Sequence, residues 1–172
     1  MVLRKGCVKS MENKMNETTC DISDKLHPDV QYLEPVYKIY GAKTSFSGRI
    51  VTVKCYEDNS LVEEALNGNG KESVLVIDAG GSMNCAMLGD KRAADAINNE
   101  WEGIIVHGLI RDSVAINGME LGIRALGVYP LKSIKNGVGD SNLIVNFSGV
   151  TFTPGEYLYA DEDGVIVVKE KL

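Results

Sequence analysis

Two kinds of hydrophobic pattern alternate along the first half of the chain. Ile50 to Tyr56, inside "FSGRIVTVKCYED", alternates apolar and polar positions and is rich in β-branched residues, which predicts a strand. "SVLVIDAGG" and "GIIVHG" are continuous apolar runs closed by glycine, the pattern of strands buried on both faces of a sheet. Helix patterns lie between them. "NSLVEEALNGNG" carries a Ser60-x-x-Glu63 capping box and a stop at Gly68, and "LGDKRAADAINNEW" sets alanines and Ile97 at helical spacing. "TTCDISDKLHPD" predicts an earlier short helix, capped by Thr18 or Thr19 and ended by Pro28. Helix, strand, helix, strand in succession argues for an α/β protein with a partly parallel sheet.

From Gly122 onward the runs become short and β-like: "IRALGVYP", "NLIVNFSGVTF", "EYLYA" and "GVIVVKE". Asp163-Gly164 between two alternating runs predicts a hairpin. The expected fold is a mixed sheet with helices in the first half and antiparallel strands in the second. Residues 1–17, polar, basic and without periodicity, read as a flexible N-terminal extension, and 18–172 as a single domain.

Composition narrows the partners. A chain of 172 residues can bury a core without disulfides or metals as staples. Its formal net charge of -6 argues against direct nucleic-acid binding, which relies on Lys and Arg neutralising phosphates, and favours small molecules or proteins. No apolar run reaches the roughly 20 residues a membrane-spanning helix needs, and no signal architecture opens the sequence, so the expectation is a cytoplasmic protein. Cys7, Cys20, Cys55 and Cys85 show no CxxC pair and no histidine at ligand spacing, and read as reduced thiols.

Candidate chemistry gathers where buried strands end. Gly89-Asp90 before a helix exposes the backbone N–H groups of Asp90, Lys91 and Arg92, and the helix dipole adds to their pull on a carboxylate or phosphate. The same Gly-Asp reads equally as an ordinary helix start with Asp90 as a cap. Farther on, Arg111 offers two parallel hydrogen bonds to a planar carboxylate, and Asp112 a hard oxygen for Mg²⁺, which takes only one or two protein carboxylates. Together they suit a 2-oxo acid, and they read equally as a surface ion pair. His107 alternates with Ile105 and points either into such a site or into a hydrogen-bonded interior. His27 reads as a solvent-facing turn residue. "DEDG" at Asp161 to Gly164 is part of a calcium-loop pattern without its remaining ligands, and Gly80-Gly81 completes no nucleotide-binding motif.

The segments "TCDISDKL", "VLVIDAGGSMNCAMLGD", "NEWEGIIVHGLIRD", "GIRALGVYP" and "VNFSGVTFTPGEYLYADEDGVIVV" agree in kind, order and spacing with one family. From about Thr18 to Val168 the chain resembles the family of RraA, regulator of ribonuclease activity A, and of the 4-hydroxy-4-methyl-2-oxoglutarate (HMG) aldolases. "NEWEG" and "VNFSGVTF" look particularly like the RraA branch. The resemblance implies a swivelling β/β/α fold and a ring-shaped homotrimer with active sites between subunits. It implies that Gly89, Asp90, Lys91 and Arg92 form a substrate cradle, that Arg111 binds substrate and that Asp112 holds Mg²⁺, Mn²⁺ or a similar cation. Asp90 would serve as the base, with Asp21 of a neighbouring subunit the weaker candidate. Lys91 and Arg92 stand where the aldolases commonly have two leucines, and His107 where an acidic residue often stands. Asp112 is kept, although RraA regulators can lose that aspartate. Two functions follow: a metal-dependent lyase releasing pyruvate from HMG or oxaloacetate, or a protein that binds and inhibits an RNase E-type endoribonuclease.

Overall fold

The computed structural model describes residues 17–172, so all but one residue of the expected flexible extension lie outside the described part. Chain order is α1 (Thr19–Leu26), β1 (Gln31–Tyr32), β2 (Lys38–Tyr40), β3 (Phe46–Lys54), α2 (Ser60–Leu66), β4 (Ser73–Asp78), β5 (Ala86–Leu88), α3 (Asp90–Asn98), β6 (Gly103–Ile110), α4 (Ser113–Asn117) and β7 (Gly122–Val128). Five short strands follow: β8 (Asp140–Ser141), β9 (Val145–Phe147), β10 (Val150–Phe152), β11 (Tyr157–Ala160) and β12 (Val165–Val168).

The centre of the sheet is a parallel quartet, β3-β4-β6-β7, whose crossovers are α2, α3 and α4. Strands alternate their side chains between faces, and each face has its own apolar layer. On one face Val62 and Leu66 of α2, Ala93 and Ala96 of α3, and Ile116 of α4 cover Leu75, Ile77, Ile104 and Val106. On the other, Ile50, Val74, Val76 and Ile105 pack against Val145, Phe147, Val150 and Phe152 of the separate β9–β10 hairpin. Antiparallel strands extend both sides of the quartet, with β11, β12 and β1 beyond β3, and β2 beyond β7. The α/β class with a mixed sheet is therefore what the chain adopts, in three layers.

Several local expectations hold. Thr18 caps α1 in a reciprocal box with Asp21, and Asp161–Gly164 turns β11 into β12 as the hairpin pattern required. Two are corrected. Ser60 and Glu63 form no capping box: Asp58 caps α2 instead, its Oδ1 accepting from Ser60 N at 2.9 Å and Ser60 Oγ at 2.6 Å. Asp58 Oδ2 accepts from Asn136 N and Val138 N, so one buried carboxylate fastens both the helix start and the 133–139 loop. Glu63 is drawn away to Arg92 and Lys135. The second correction is β7, which belongs to the parallel quartet and not to an antiparallel half. Its alternating composition resembles that of the later strands, and only the α4 crossover makes it parallel.

Candidate active site

Strand β6 runs past the histidine-glycine step, through a bulge between Val106 and Leu109, to Ile110. Arg111 and Asp112 come next, and main-chain pairing fixes them there. The Arg111 amide donates to the Leu88 carbonyl at 2.9 Å, and the Ile110 carbonyl accepts from Tyr129 N at 2.9 Å. Leu88 ends β5, and Gly89 is the N-cap of α3. Pairing of β5 with β6 thus sets the helix start beside the Arg-Asp pair.

The contact between them is direct. Asp112 Oδ2 accepts from the Asp90 amide at 3.2 Å and from Arg111 Nε at 3.3 Å, while Oδ1 makes no hydrogen bond among the described residues. The Asp90 amide, and after it Arg111, hold the Asp112 carboxyl below the usual carboxylate range against the opposing pull of partial desolvation. Asp112 takes the left-handed backbone region (φ 57°), which residues with side chains rarely occupy, and thereby begins α4. Gly89 lies beneath. A Cβ there would sit 2.6 Å from Asp112 Oδ2 and 3.2 Å from Arg111 Cγ, so any side chain at this position would displace the Arg-Asp pair.

This geometry revises the expected row of three open amides. The Asp90 amide is engaged by Asp112, and the Lys91 amide donates to Asp90 Oδ1 at 2.7 Å. The Arg92 amide has no carbonyl partner in the first turn. Its side chain reaches the other way, pairing with Glu63 and with Asp95 at 3.0 Å to tie α3 to α2, and the Lys91 side chain is exposed. Arg111 turns Nη1 toward the Pro130 carbonyl at 3.4 Å and leaves Nη2 without a partner among the described residues. Pro130 escaped the sequence reading because a backbone acceptor carries no residue-type signal.

An anion donor set and a carboxylate with one open oxygen therefore lie side by side. No three His, Cys, Asp or Glu side chains among the described residues converge into a cage. Such an open donor set fits a cation that keeps water and substrate oxygens in its shell, as Mg²⁺ does, and does not fit a closed structural zinc site. Asp21 is not brought to this group within one chain: its carboxylate accepts from Thr18 N and Thr18 Oγ1 in the α1 cap.

His107 lies elsewhere. It faces the β9–β10 side, stacked on Phe147 at 4.5 Å between ring centroids, with Nδ1 2.7 Å from Tyr37 Oη. Burial holds its pKa below the ordinary histidine value, with Asp78 working in the opposite direction. The "DEDG" stretch is structural: Asp161 accepts from Thr19 N and Thr19 Oγ1 and caps its own turn through Asp163 N. At Gly80-Gly81 both amides are used internally, by Asp78 Oδ1 and by the His107 carbonyl.

A mixed α/β sheet carrying a helix start against an Arg-Asp pair defines a class, and comparison with known proteins identifies it. Residues 19–167 match the RraA-like family described as Aldolase/RraA, and the chain belongs to that family. A relative in Dechloromonas aromatica (strain RCB), named a candidate 4-hydroxy-4-methyl-2-oxoglutarate aldolase, is 56% identical over 149 residues, covering 86% of this chain and 91% of its own. The crystal structure of an S-adenosylmethionine:2-dimethylmenaquinone methyltransferase from Geobacillus kaustophilus HTA426 superposes with a TM-score of 0.89 at 43% identity, covering 91% of this chain and 97% of that one. The RNA-processing inhibitor RraA from Thermus thermophilis gives a TM-score of 0.88 at 38% identity, covering 92% of this chain and 96% of that one.

Proposed function

We propose that the chain is a divalent-metal-dependent lyase that breaks a C–C bond beside the 2-oxo group of small acids. HMG and oxaloacetate would both release pyruvate. The observation that carries this reading is the contact of Asp112 Oδ2 with the Asp90 amide and Arg111, which joins an anion-binding helix start to a carboxylate with one oxygen free. The names of the aldolase relatives support it.

The residues divide the work by chemistry. Arg111 Nη2 and the Arg92 amide receive the substrate carboxylate, fixing the plane of the 2-oxo group so that the breaking bond lies along its π-system. Asp112 Oδ1 would hold the cation, Mg²⁺ or Mn²⁺, which when bound would supply Lewis-acid stabilisation for negative charge at the 2-oxo group. In retro-aldol cleavage the substrate hydroxyl must lose a proton, and the Asp90 carboxylate beside Asp112 takes it, directly or through water. Decarboxylation of oxaloacetate releases CO₂ and needs no base; in both reactions the carbon left behind must then gain a proton to become the methyl of pyruvate, from Asp90 after the retro-aldol step and from water after decarboxylation. Gly89 keeps the space in which these groups meet.

The test is pyruvate release from HMG and from oxaloacetate, with Mg²⁺ or with EDTA, by the parent and by Arg111→Ala and Asp112→Ala. Metal-dependent release lost in both variants is expected. Release no faster than the metal-only background overturns the lyase reading.

A second reading rests on the Thermus neighbour and on the net charge of -6. An acidic protein of this fold would cover the basic RNA-binding surface of an RNase E-type endoribonuclease, with charge speeding the encounter. Inhibition of such an enzyme by the Asp112→Ala variant, at parent strength, would show a regulator whose action does not depend on catalysis.

For assembly we propose the homotrimer. Val128 at the end of β7 and Leu131, Ile134, Val138 and Ile144 beyond it are exposed apolar side chains that a neighbouring copy would cover. Cytoplasmic location accords with free thiols at Cys20, Cys55 and Cys85 and with the absence, among the described residues, of a helix long and apolar enough to cross a membrane. Light scattering of the purified protein measures the assembly.

A further inference from the structure

Three ionisable side chains stand in one row across the parallel sheet. Lys54 at the end of β3 is in register with Asp78 at the end of β4, and Asp78 with His107 on β6. All three share the parity of Ile50, Val76 and Ile105 and so face the β9–β10 side, away from the helices. Above the row is an open cavity of about 470 Å³, walled also by Tyr56, Asp140 and Asn146. Cavities outside the carboxyl ends of parallel strands are the usual place for ligands in α/β sheets.

The polar groups of this row are unspent. Asp78 is only 9% exposed, yet its Oδ1 accepts a single turn amide, from Gly80 at 3.0 Å, and its Oδ2 has no partner among the described residues. Asp140 is paired in register with Lys54, but Lys54 makes no ion pair with either carboxylate within the described residues. His107 is anchored through Nδ1 to Tyr37, which in turn bonds Ser148 Oγ at 2.9 Å, and its Nε2 is left beside the Gly80-Gly81 turn that borders the cavity. The Asp78 side chain lines the cavity, and its Oδ2 is not one of the fully buried unpartnered atoms, so it can take a donor from a ligand there.

We propose that this cavity is a second ligand site, separate from Arg111 and Asp112, and that it takes a small zwitterion of the amino-acid class. The charges select it. An ammonium group meets Asp78 Oδ2 and Asp140, a carboxylate meets Lys54 Nζ, and the exposed Tyr56 ring offers an apolar wall to the rest of the molecule. A plain carboxylic acid pairs with Lys54 but faces two carboxylates, and a plain amine leaves Lys54 unmatched. The 2-oxo diacids proposed for the other site carry no cation and fit this one poorly.

The experiment is thermal denaturation of the full chain with each of the twenty common L-amino acids at about 10 mM, then calorimetric titration with whichever stabilises most. Acetate and methylamine serve as single-charge probes. At least one amino acid should raise the midpoint while neither single-charge probe does. Lys54→Ala and Asp78→Asn should each weaken its binding about tenfold or more, and Arg111→Ala should leave it unchanged. Should Asp78→Asn fail to fold, the exposed Lys54 variant carries the test alone. Stabilisation by no amino acid, affinity that survives Lys54→Ala, or affinity lost with Arg111→Ala each overturns the proposal.

Discussion

The Asp90 amide nitrogen lies 3.2 Å from Asp112 Oδ2, and the two residues are 22 positions apart in sequence. That one hydrogen bond joins a helix start to a strand end. It is also where the lyase reading is easiest to break.

Gly89→Ala adds one methyl group 2.6 Å from Asp112 Oδ2. Asp112 and Arg111 must then move apart from the helix start, while the core beneath is untouched. Misplacement on this scale costs about 100-fold in turnover. We expect pyruvate release to fall by that order with the melting midpoint little changed. A variant as active as the parent would remove Gly89 from the site.

Asp112 titrates below the ordinary aspartate value because the Asp90 amide and Arg111 favour its charged form. A depressed pKa keeps the carboxylate ionised above the unfolded value and loses it only as pH falls through the folded one. Mn²⁺ binding, followed by paramagnetic relaxation of water, should therefore persist through the range where a free aspartate protonates and fail only below it. Replacing Arg111 with Met should move that failure upward in pH.

Asp58 is held to a pKa of about 2 by Ser60 first, then by the amides of Asn136 and Val138. Its stabilising contribution is complete above the unfolded aspartate pKa near 3.9 and is lost as pH falls toward 2. Asp58→Ala leaves those donors unpaired and should cost about 3 kcal/mol in urea denaturation at neutral pH. The same variant should flatten the acid limb of the stability profile.

His107 has a lowered pKa because burial disfavours its charge, Asp78 offsetting part of the effect. Folding is thus helped while the ring is neutral, fully above the unfolded value near 6.5, and this help is lost as pH drops through the folded value. His107→Gln should make stability less dependent on pH between about 7 and 5. Tyr37→Phe removes the partner of Nδ1 and should cost about 1–2 kcal/mol.

Much of this was readable in the residues. The continuous apolar runs of β4 and β6 mark double burial, and Asp163-Gly164 marks its hairpin, because those signals are local. Gly89-Asp90 and Arg111-Asp112 stand out for the same reason. Their meeting was one of two readings the residues left open, a shared 2-oxo acid site or unrelated surface features, and the resemblance favoured the first; spacing could not decide, since the β5–β6 pairing that creates it links three-residue β5 to a distant strand end. The fate of the amides was hidden too. Whether the Asp90 and Lys91 N–H groups stay open depends on carboxylate positions that no spacing rule encodes. Ser60 misled for a related reason: a side chain two residues upstream, Asp58, outcompeted it because it could also hold a loop far away in sequence.

The length of β6 has a consequence for how this protein can change over time. One strand supplies the core with Ile105 and the second cavity with His107, and its end places Arg111 and Asp112 in the candidate active site, in a fixed count from Gly103. Inserting or deleting a single residue before the bulge reverses which side each later residue presents. A change of length should therefore be lethal to β6, so sequence drift along it can proceed only by substitution.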